Sequence, residues 1–338
     1  MSVKEQVLTI LEEEKGCYLS GEDMAAQLGV SRNAIWKSIR QLQKEGHLIE
    51  GVPRLGYTLR TDSHVLSVPG IKKYLQVPDL ELTVYPTLPS TNTALKQAAE
   101  AGAPAGTVLI AEEQTAGRGR LGRSFYSPAG TGLYFSVLLR PTLPATDCSL
   151  ITTCAAVACA EAMETISGQK TEIKWVNDIY VDGRKACGIL TEAALDLESG
   201  GLQYAVLGIG INLAPPEQGF PTELQSIAGP LFPDHSGGDV RNRLTAEILN
   251  RFFQYYPDLT GKSYLEAYRQ RSMLTGQSVY VLRAGDKIPA KVLGIDNDFG
   301  LIVAYESGQT EHLSSGEVSI RKRTAESPKI QKFSVNFD

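Results

Sequence analysis

Seven residues, GRGRLGR at positions 117–123, carry three glycines and three arginines and no acidic side chain. Glycines let backbone amides approach an anion closely, and arginines supply cationic forks for carboxylate or phosphate. A phosphate-binding P-loop has Lys and then Ser or Thr after its last glycine, and a dinucleotide fingerprint opens a helix. This loop does neither, because a β-prone run, GLYFSVLLRP, follows it. The chain therefore needs a fold that presents an anion-binding loop between strands.

The surroundings of the loop indicate a mixed sheet. Candidate strands at 82–85 and 107–112 precede it, and the helical segment STNTALKQAAEAG lies between them. The longest apolar helix pattern covers 149–167, and a hairpin turn at Asp182–Gly183 and the buried-type strand LQYAVLGIGINL follow. Hairpins interrupt the helices too often for a doubly wound sheet. We therefore predict an α+β domain with a mixed or antiparallel sheet.

Residues 20–60 have the pattern of a winged helix-turn-helix. Two helices are separated by a tight turn at 29–31, where Gly29 ends the first and Ser31 caps the second. The apolar residues of the second helix share one face: Ile35, Ile39 and Leu42. Two β-prone runs, 48–49 and 57–59, enclose a Gly/Pro turn and predict a hairpin, or wing, after that helix.

Positive charge concentrates on the second helix and the hairpin. Residues 1–29 hold two basic and six acidic side chains, whereas residues 30–60 hold six basic and two acidic side chains. Such a helix enters the major groove of DNA, while the hairpin reaches a phosphate or the minor groove. The alternative is a subunit-docking module with a solvated basic face. We predict DNA binding by Ser31, Arg32, Asn33, Trp36, Lys37, Arg40, Lys44 and Arg54.

Composition limits the remaining classes of protein. The 338 residues are 42% apolar and 21% charged, as in a folded protein of more than one domain. A net charge of −5 argues against a protein that coats nucleic acid throughout. The five cysteines form no CxxC pair, so neither a disulfide framework nor a zinc site is expected. The charged first helix and the lack of a long uninterrupted apolar run predict a cytoplasmic protein with no membrane segment.

Changes in sequence texture predict the domain boundaries. We expect a winged-helix domain at 1–64, a linker at 65–80 and a larger domain with the glycine–arginine loop at 81–272. Short strands between turns at 284–286, 296–298 and 307–308 predict a small β barrel. The barrel is expected at 273–323 and a tail at 324–338.

Two further clusters accompany the glycine–arginine loop. By itself, the loop sequence is also compatible with an exposed segment whose arginines contact only solvent. Phe125 and Tyr126 beside the loop favour a loop that folds over a ligand. The segment KWVNDIYVDGRKACG holds two cations, an amide and a carboxylate near one turn: Lys174, Lys185, Asn177 and Asp178. A lysine there can neutralise charge on a phosphoryl oxygen or an activated carboxylate. The segment STNT, 90–93, is either a plain helix cap or a site for a polar ligand.

Acid–base and triad chemistry are not indicated. No nucleophile–base pair is evident in the sequence, and the four histidines lie outside all three clusters. These histidines are His47, His64, His235 and His312.

In this order, the motifs STN, QTAGRGRLGR, KWVNDIYVDGRKACGIL and GIGINL resemble those of bifunctional biotin–protein ligases that also repress the biotin operon. The resemblance covers nearly the whole chain, from about residue 5 to residue 322. It implies a multidomain α+β protein with an N-terminal winged helix-turn-helix. The same resemblance implies a central mixed α/β ligase domain related to class II synthetases and a C-terminal SH3-like β barrel.

The resemblance also assigns functions to residues. It implies a biotin pocket formed by Ser90, Thr91, Asn92, Gln114, Arg118, Gly119, Arg120 and Lys185. It implies binding of ATP or the adenylate by Arg120, Arg123, Phe125, Asn177, Asp178 and Asn212. Lys185 and Arg118 are the expected catalytic residues, and no ligands of Mg²⁺ are indicated. Two positions depart from the family pattern, because Val176 stands where Pro is common and Phe125 where Trp is common.

The activity implied is formation of biotinyl-5′-AMP from biotin and Mg²⁺-ATP, followed by transfer of biotin to a lysine of a biotin carboxyl carrier protein domain. A homodimer in the adenylate-bound state is expected to bind operator DNA and repress genes of biotin synthesis and transport. Two alternatives stay open: a DNA-binding biotin sensor without ligase activity, and a ligase for lipoate or a fatty acid. Arg118, Arg120 and Lys185 favour a ligase over a pure sensor, which needs no ATP site.

Overall fold

The structure, a computed structural model, describes residues 1–196, 198, 200–234, 239–283, 286–314 and 316–320. His235, most of the turn predicted at 284–286, residues 321–323 of the predicted barrel and the predicted tail at 324–338 lie outside the described residues. The chain divides into two compact units, of which the first is Met1–Arg271 and the second begins at Ser272.

The first unit begins with a winged helix-turn-helix, as predicted. Its elements are α1 (Val3–Glu13), α2 (Gly21–Leu28), α3 (Arg32–Lys44), β1 (Ile49–Val52) and β2 (Gly56–Leu59), and α4 (Val68–Lys72) follows them. Gly29 ends α2 in the left-handed conformation, and the hydroxyl of Ser31 accepts a hydrogen bond from the N–H of Ala34 to cap α3. Ile35, Ile39 and Leu42 are buried in a core that α1 to α3 and the hairpin form by themselves.

The rest of the first unit is built on a seven-stranded sheet. Its strands are β3 (Glu81–Leu88), β4 (Thr107–Gln114), β5 (Gly132–Leu139), β6 (Glu172–Lys174), β7 (Asp178–Val181), β8 (Arg184–Leu195) and β9 (Leu202–Asn212). They lie in the order β3-β4-β5-β9-β8-β7-β6. Strands β3 and β4 are parallel and the other neighbours are antiparallel, so the sheet is mixed, which is one of the two arrangements that the sequence predicts.

The helices α5 (Thr91–Glu100) and α6 (Ser149–Ser167) pack on this sheet, and α7 (Val240–Tyr255) and α8 (Leu265–Gln270) pack on α6. From α5, Leu95 and Ala99 pack on Leu109, Leu138 and Val206 of the strands. The stretch that contains α6, 145–167, is long and apolar enough to cross a membrane, but 72% of its apolar window is buried inside the protein. This burial fits the core helix predicted from the sequence.

The segment 65–80, predicted as a linker, is packed rather than extended. Its helix α4 contacts both α1 and α7, and Ser67 caps it. Gly70 permits the close approach to α7, because a Cβ at this position would lie 2.5 Å from Nδ2 of Asn242. The same Asn242 side chain donates to the carbonyl of Val65 at 3.0 Å and accepts from the N–H of Ser67 at 3.0 Å. The backbone of this segment is therefore fixed to α7.

Buried charges join the winged helix to the start of α7. Nζ of Lys15 lies 3.2 Å from Oε2 of Glu12 and 3.5 Å from Oδ2 of Asp239, and it donates to the carbonyl of Ser63 at 3.0 Å. The three charged side chains are each at most 7% exposed. Burial raises the pKa of the Glu12 carboxyl, although the charge of Lys15 opposes this effect. The cluster therefore depends on Lys15, whose single charge serves two buried carboxyl groups.

A second ion pair joins the same segment to the sheet. The guanidinium of Arg241, in the first turn of α7, pairs with Glu112 of β4 and donates to the carbonyl of His64 at 3.1 Å. Glu112 lies two residues before Gln114, so both side chains project from the same face of β4. The end of β4 thus contacts the segment that follows the winged helix.

The second unit is an antiparallel sheet with a core of its own. Its strands are β10 (Ser278–Arg283), β11 (Asp286–Ile295), β12 (Leu301–Tyr305), β13 (Thr310–Leu313) and β14 (Glu317–Ile320), in the order β13-β12-β11-β10-β14. Buried residues alternate along three of its strands: Val279 and Val281 on β10, Ala290 and Val292 on β11, and Leu301 and Val303 on β12. The predicted small β domain is confirmed for the part of this unit that the structure describes.

Candidate functional site

The glycine–arginine loop is folded as a short hairpin after β4. Three backbone hydrogen bonds of 2.7 to 3.0 Å join its two sides: Gln114 to Ser127, Phe125 to Gly117 and Gly119 to Arg123. Gly117 is required here, because a Cβ at this position would lie 2.4 Å from the carbonyl oxygen of Phe125. The loop therefore has a defined shape that places its three arginines at different points.

The STN segment and Gln114 form one buried polar cluster, which we call the inner cluster. Ser90 caps α5, and Ser90, Thr91 and Asn92 are each less than 5% exposed. Thr91 donates to Oε1 of Gln114 from its backbone N–H at 2.9 Å and from its hydroxyl at 3.2 Å. Nε2 of Gln114 in turn donates to the hydroxyl of Ser127 at 2.9 Å. The structure thus brings together Gln114 and the STN segment, which the resemblance assigns to the same pocket.

Asn92 connects this inner cluster to the sheet. Its Oδ1 accepts from the hydroxyl of Ser136 at 2.6 Å, and its Nδ2 donates to Oε2 of Glu192 at 3.0 Å. Gly208 leaves room for the amide, because a Cβ there would lie 2.0 Å from Oδ1 of Asn92. Sequence reasoning missed Ser136, Glu192 and Gly208. A hydroxyl within an apolar strand and a glycine inside a strand were the available signals.

The second cluster, which we call the lysine cluster, lies at the β7–β8 hairpin. Nζ of Lys185 lies 2.6 Å from Oδ1 of Asp178. Nδ2 of Asn177 donates to the same oxygen at 3.0 Å, and Nη1 of Arg120 donates to Oδ1 of Asn177 at 2.9 Å. Four residues predicted from two separate motifs therefore form one hydrogen-bonded chain.

Local backbone structure sets the position of Lys185. Asp182 and Gly183 have φ values of 49° and 72°, as the predicted two-residue hairpin turn requires. The N–H of Lys185 donates to the carbonyl of Ile227 at 2.8 Å. The carbonyl of Lys185 accepts from Nδ2 of Asn212 at 3.3 Å. Asn212 therefore holds the backbone of Lys185 in addition to any ligand contact that the sequence predicts for it.

Glycines form the floor between the two clusters. Gly188 and Gly210 are paired across β8 and β9. A Cβ at Gly188 would lie 3.2 Å from a ring carbon of Phe125, and a Cβ at Gly210 would lie 2.6 Å from another. The ring of Phe125 also meets that of Tyr134 edge to face, with centroids 6.4 Å apart. Phe125, which replaces the commoner Trp, thus packs on the bare backbone of the sheet. Sequence reasoning did not single out Gly188 or Gly210.

Positive charge exceeds negative charge in these clusters. The carboxylate of Glu192 lies 3.2 Å from Nζ of Lys96 and 3.3 Å from Nη1 of Arg118. Burial alone would raise the pKa of the Glu192 carboxyl, but hydrogen bonds from Asn92 and Lys96 and the charges of Lys96 and Arg118 lower it. The cations of the two clusters, set against Glu192 and Asp178, are Lys96, Arg118, Arg120 and Lys185. The excess favours an anionic ligand.

Other predicted residues lie apart from these contacts. Arg123 is exposed, and its backbone carbonyl closes the loop hairpin. The ammonium of Lys174 lies over the ring of Tyr180, 5.8 Å from its centroid. Val176, where Pro is common, follows a cis peptide bond, and its carbonyl accepts from the hydroxyl of Tyr268 at 3.2 Å. The described histidines lie outside both clusters, and burial lowers the pKa of His47, in the winged helix, to about 4.

A separate candidate site lies on the winged helix. The residues predicted to contact DNA are all exposed: Ser31, Arg32, Asn33, Trp36, Lys37, Arg40, Lys44 and Arg54. A groove between α3 and the β1–β2 hairpin is lined by Arg32, Trp36 and Arg40 on one side and by Arg54 and Tyr57 on the other. The guanidinium of Arg40 lies 5.6 Å from the ring centroid of Trp36, which is 48% exposed. The groove therefore presents cations and an aromatic ring to solvent.

Comparison with protein families gives three matches along the chain. Residues 3–58 match an HTH domain. Residues 84–212 match the biotin/lipoate A/B protein ligase family, and residues 275–321 match the biotin protein ligase C-terminal domain. The two clusters and the glycine–arginine loop lie within the second match.

Whole proteins match over the same range. The chain is 31% identical to the bifunctional ligase/repressor BirA of Bacillus spizizenii over 312 residues, which are 91% of this chain and 95% of that protein. It is 32% identical to the protein of the same description from Bacillus subtilis over 314 residues, again 91% and 95%. The structure of the biotin protein ligase from Aquifex aeolicus in complex with biotin and ATP aligns with a TM-score of 0.60 and 29% identity, over 72% of this chain and 99% of that chain. This chain therefore belongs to the family of bifunctional ligase/repressor proteins of the BirA type.

Proposed function

We propose that this protein activates biotin with ATP and transfers it to a lysine of a biotin carboxyl carrier protein domain. The observation that carries the proposal is the placement of the inner cluster and the lysine cluster on one side of the glycine floor, with the loop hairpin joining them. A neutral polar ring system suits the inner cluster, since Ser90, Thr91, Asn92 and Gln114 are uncharged and the charge of Glu192 is balanced by Lys96 and Arg118. A carboxylate and a phosphate suit the lysine cluster, where Lys185 and Arg120 supply positive charge.

In the first step, a carboxylate oxygen of biotin attacks the α-phosphorus of ATP, biotinyl-5′-AMP forms and pyrophosphate leaves. Both reactants are anions, so the step needs positioning and cations rather than a protein nucleophile. Lys185 supplies positive charge at the reacting carboxylate and phosphate. Asp178 and Asn177 fix the direction of Lys185 and Arg120 through the hydrogen bonds described above.

In the second step, the amine of a carrier lysine attacks the acyl carbon of the mixed anhydride. An amide bond forms, AMP leaves and the amine loses a proton to solvent. The loop hairpin, which carries Arg118 and Arg120, covers the adenylate in this proposal and keeps water from hydrolysing it. Phe125 supplies an apolar surface on the adenine side.

The ligand assignments made from the sequence are part of this proposal. Biotin is bound by Ser90, Thr91, Asn92, Gln114, Arg118, Gly119, Arg120 and Lys185. ATP and the adenylate are bound by Arg120, Arg123, Phe125, Asn177, Asp178 and Asn212. ATP enters as its Mg²⁺ complex, and such an ion is held mainly by phosphates and water, with few protein ligands.

One assay tests the ligase proposal against its alternatives. Pyrophosphate release is measured with biotin, lipoate or octanoate as the acid, with and without a purified biotin carboxyl carrier protein domain. We expect release with biotin alone, followed by covalent transfer when the carrier is present. Release with lipoate or octanoate instead would identify a different acyl ligase. Tight biotin binding without pyrophosphate release would identify a sensor that lacks ligase activity.

We propose that the winged helix binds operator DNA as part of a homodimer, with biotinyl-5′-AMP as the corepressor. The exposed cationic groove supports DNA binding, and two-fold symmetry would place paired α3 helices on two half-sites. Sedimentation of the protein with and without biotin and ATP tests the dimer. A monomer in the presence of both ligands would exclude the ligand-dependent dimer.

Substitution of Arg40 tests the DNA surface. The DNA is an operator that the wild-type protein selects from a random library. We expect Arg40→Ala to weaken binding to this operator about tenfold or more. The slope of log binding constant against log salt concentration should become shallower by about one. Biotin ligation should not change. The control is Arg60→Ala, because Arg60 is paired with Glu50 and Asp62 instead of lining the groove. Titrations at several salt concentrations give both quantities, and equal slopes for wild type and Arg40→Ala would exclude this surface.

The cellular location and the domain boundaries also belong to the proposal. We propose a cytoplasmic protein, which agrees with five free thiols, three of them buried. The proposed domains are the winged helix at 1–64, the ligase domain at 81–272 and the small β barrel at 273–323. The proposed linker is 65–80 and the proposed tail is 324–338.

A further inference from the structure

Glu192 joins three parts of the candidate ligase site. It projects from β8 on the same face as Gly188, because residues two and four apart share a face of a strand. Its Oε2 accepts from Nδ2 of Asn92, and its Oε1 lies 3.2 Å from Nζ of Lys96 and 3.3 Å from Nη1 of Arg118. Both carboxylate oxygens are therefore in contact with α5 or with the loop hairpin.

The surroundings of Glu192 keep it ionised and in place. Its side chain is 18% exposed, and its neighbours are an amide and two cations. On α5, Asn92 and Lys96 are one helical turn apart, so they hold the carboxylate from the same helix face. Arg118 is the only partner of the three that lies in the glycine–arginine loop, and its side chain is 46% exposed. Glu192 is thus the fixed member of the pair and Arg118 the member that can move.

The contact with Arg118 leaves the arginine able to bind a ligand. The ion pair uses Nη1, and a guanidinium has five N–H donors in a planar fork. When one side of the fork is fixed, the direction of the remaining donors is restricted. A partly exposed ion pair is also weak enough to break and form again when the loop opens and closes.

We propose that Glu192 is a positioning residue that fastens the loop hairpin to α5 and β8 through Arg118 and so governs how long biotinyl-5′-AMP stays bound. The inference rests on the proposed ligase function and adds to it a separate role for a residue outside the lysine cluster. Chemistry at the carboxylate and phosphate depends on Lys185, which Glu192 does not contact in the structure's described hydrogen bonds and ion pairs. Of the two expected catalytic residues, Glu192 pairs with Arg118, through one end of its guanidinium, so it affects retention of the ligand more than the rate of adenylation.

The test uses Glu192→Gln in the full-length protein. The adenylate is formed from labelled biotin and ATP without carrier, and its release is followed after a chase with unlabelled biotin. We expect release about tenfold faster and a KM for biotin about tenfold higher, with kcat for pyrophosphate release changed less than about threefold. Glu192→Asp keeps the charge and should give a smaller effect. The matched control is Glu100→Gln. Glu100 lies about 12 Å beyond Asn92 along α5, and its carboxylate accepts a hydrogen bond from the hydroxyl of Tyr204.

A double-mutant cycle separates positioning through Arg118 from a general structural role. If Glu192 acts through Arg118, Glu192→Gln should accelerate adenylate release in the wild-type background but not in the Arg118→Gln background. Added salt should accelerate release from the wild type more than from Glu192→Gln, since only the wild type has the ion pair. Equal effects of Glu192→Gln in both backgrounds would overturn the proposal.

Failure of this inference can be distinguished from failure of the proposed function. A wild-type protein that releases no pyrophosphate with biotin would overturn both. An active wild type with unchanged adenylate release in Glu192→Gln would overturn only the role of Glu192. Thermal unfolding of each variant checks that it is folded. If Glu192→Gln does not fold, the rate of adenylate release from Glu192→Asp is compared with that of wild type, and an unchanged rate overturns the role of Glu192.

Discussion

Lys185→Ala lowers biotin-dependent pyrophosphate release by about 100- to 1,000-fold, because it removes the cation that meets the reacting carboxylate and phosphate. The other cation of the lysine cluster, Arg120, donates to Asn177 and keeps only part of the positive charge there. Asp178 is negative, and without its partner at 2.6 Å it would add repulsion toward both anionic substrates. The measurement is single-turnover formation of biotinyl-5′-AMP at saturating biotin and ATP. Under these conditions a change in kcat is separated from a change in binding.

Lys174→Ala is the matched control for this prediction. Lys174 lies in the same group of strands, opposite Asp178 in the β6–β7 pair, but its ammonium is placed over Tyr180. We expect adenylation within about threefold of wild type, as for a residue that does not touch the reacting groups. Adenylation by Lys185→Ala at the rate of this control would exclude the assigned role of Lys185 while leaving the family membership intact.

Lys15→Met lowers the free energy of unfolding by about 3 to 5 kcal/mol, because it removes the cation that lies within 4 Å of both buried carboxyl groups, Glu12 and Asp239. Both carboxyl groups are at most 7% exposed, so water cannot readily solvate them in the folded protein. Urea unfolding followed by circular dichroism measures the change.

Two further variants show that the loss comes from the buried charges. Lys15→Met combined with Glu12→Gln and Asp239→Asn should recover much of the stability, since no buried carboxylate is then left unpaired. Lys4→Met provides the surface control. Lys4 also pairs with a carboxylate, Glu45, but the two side chains are 30% and 40% exposed, and such a pair contributes only about 0 to 1 kcal/mol. Equal losses for Lys4→Met and Lys15→Met would contradict this explanation.

The elements of the winged helix could be predicted because the physical signals are local. Ser31 caps α3 within three residues, and the spacing of Ile35, Ile39 and Leu42 defines a buried face without reference to the rest of the chain. The same holds for the hairpin turn at Asp182–Gly183, whose residues tolerate positive φ. Motifs of this kind predicted the correct fold class and limited the central sheet to a mixed or an antiparallel one.

The partners of the site residues could not be predicted, because they come from distant parts of the chain. Ser136 and Glu192 meet Asn92 only when β5, β9 and β8 are neighbours in the sheet. The family resemblance identified Asn92 but gave no reason to connect it with either residue. In the same way, the packing of 65–80 on α7 depends on Asn242, which is far away in sequence. The change in sequence texture that predicts a linker at 65–80 does not reveal this packing.

The contact between Arg241 and Glu112 gives the two proposed activities a shared strand. Gln114, in the inner cluster, and Glu112, which holds Arg241 and through it the carbonyl of His64, lie two residues apart on β4. A ligand that favours one position of the end of β4 therefore favours one position of the segment that carries the winged helix. Such coupling is reciprocal, so an operator that selects this arrangement of the winged helices would tighten the hold on the adenylate by the same factor. A repressor of this kind retains its corepressor best while it is on its operator, where the adenylate is least available for transfer to a carrier.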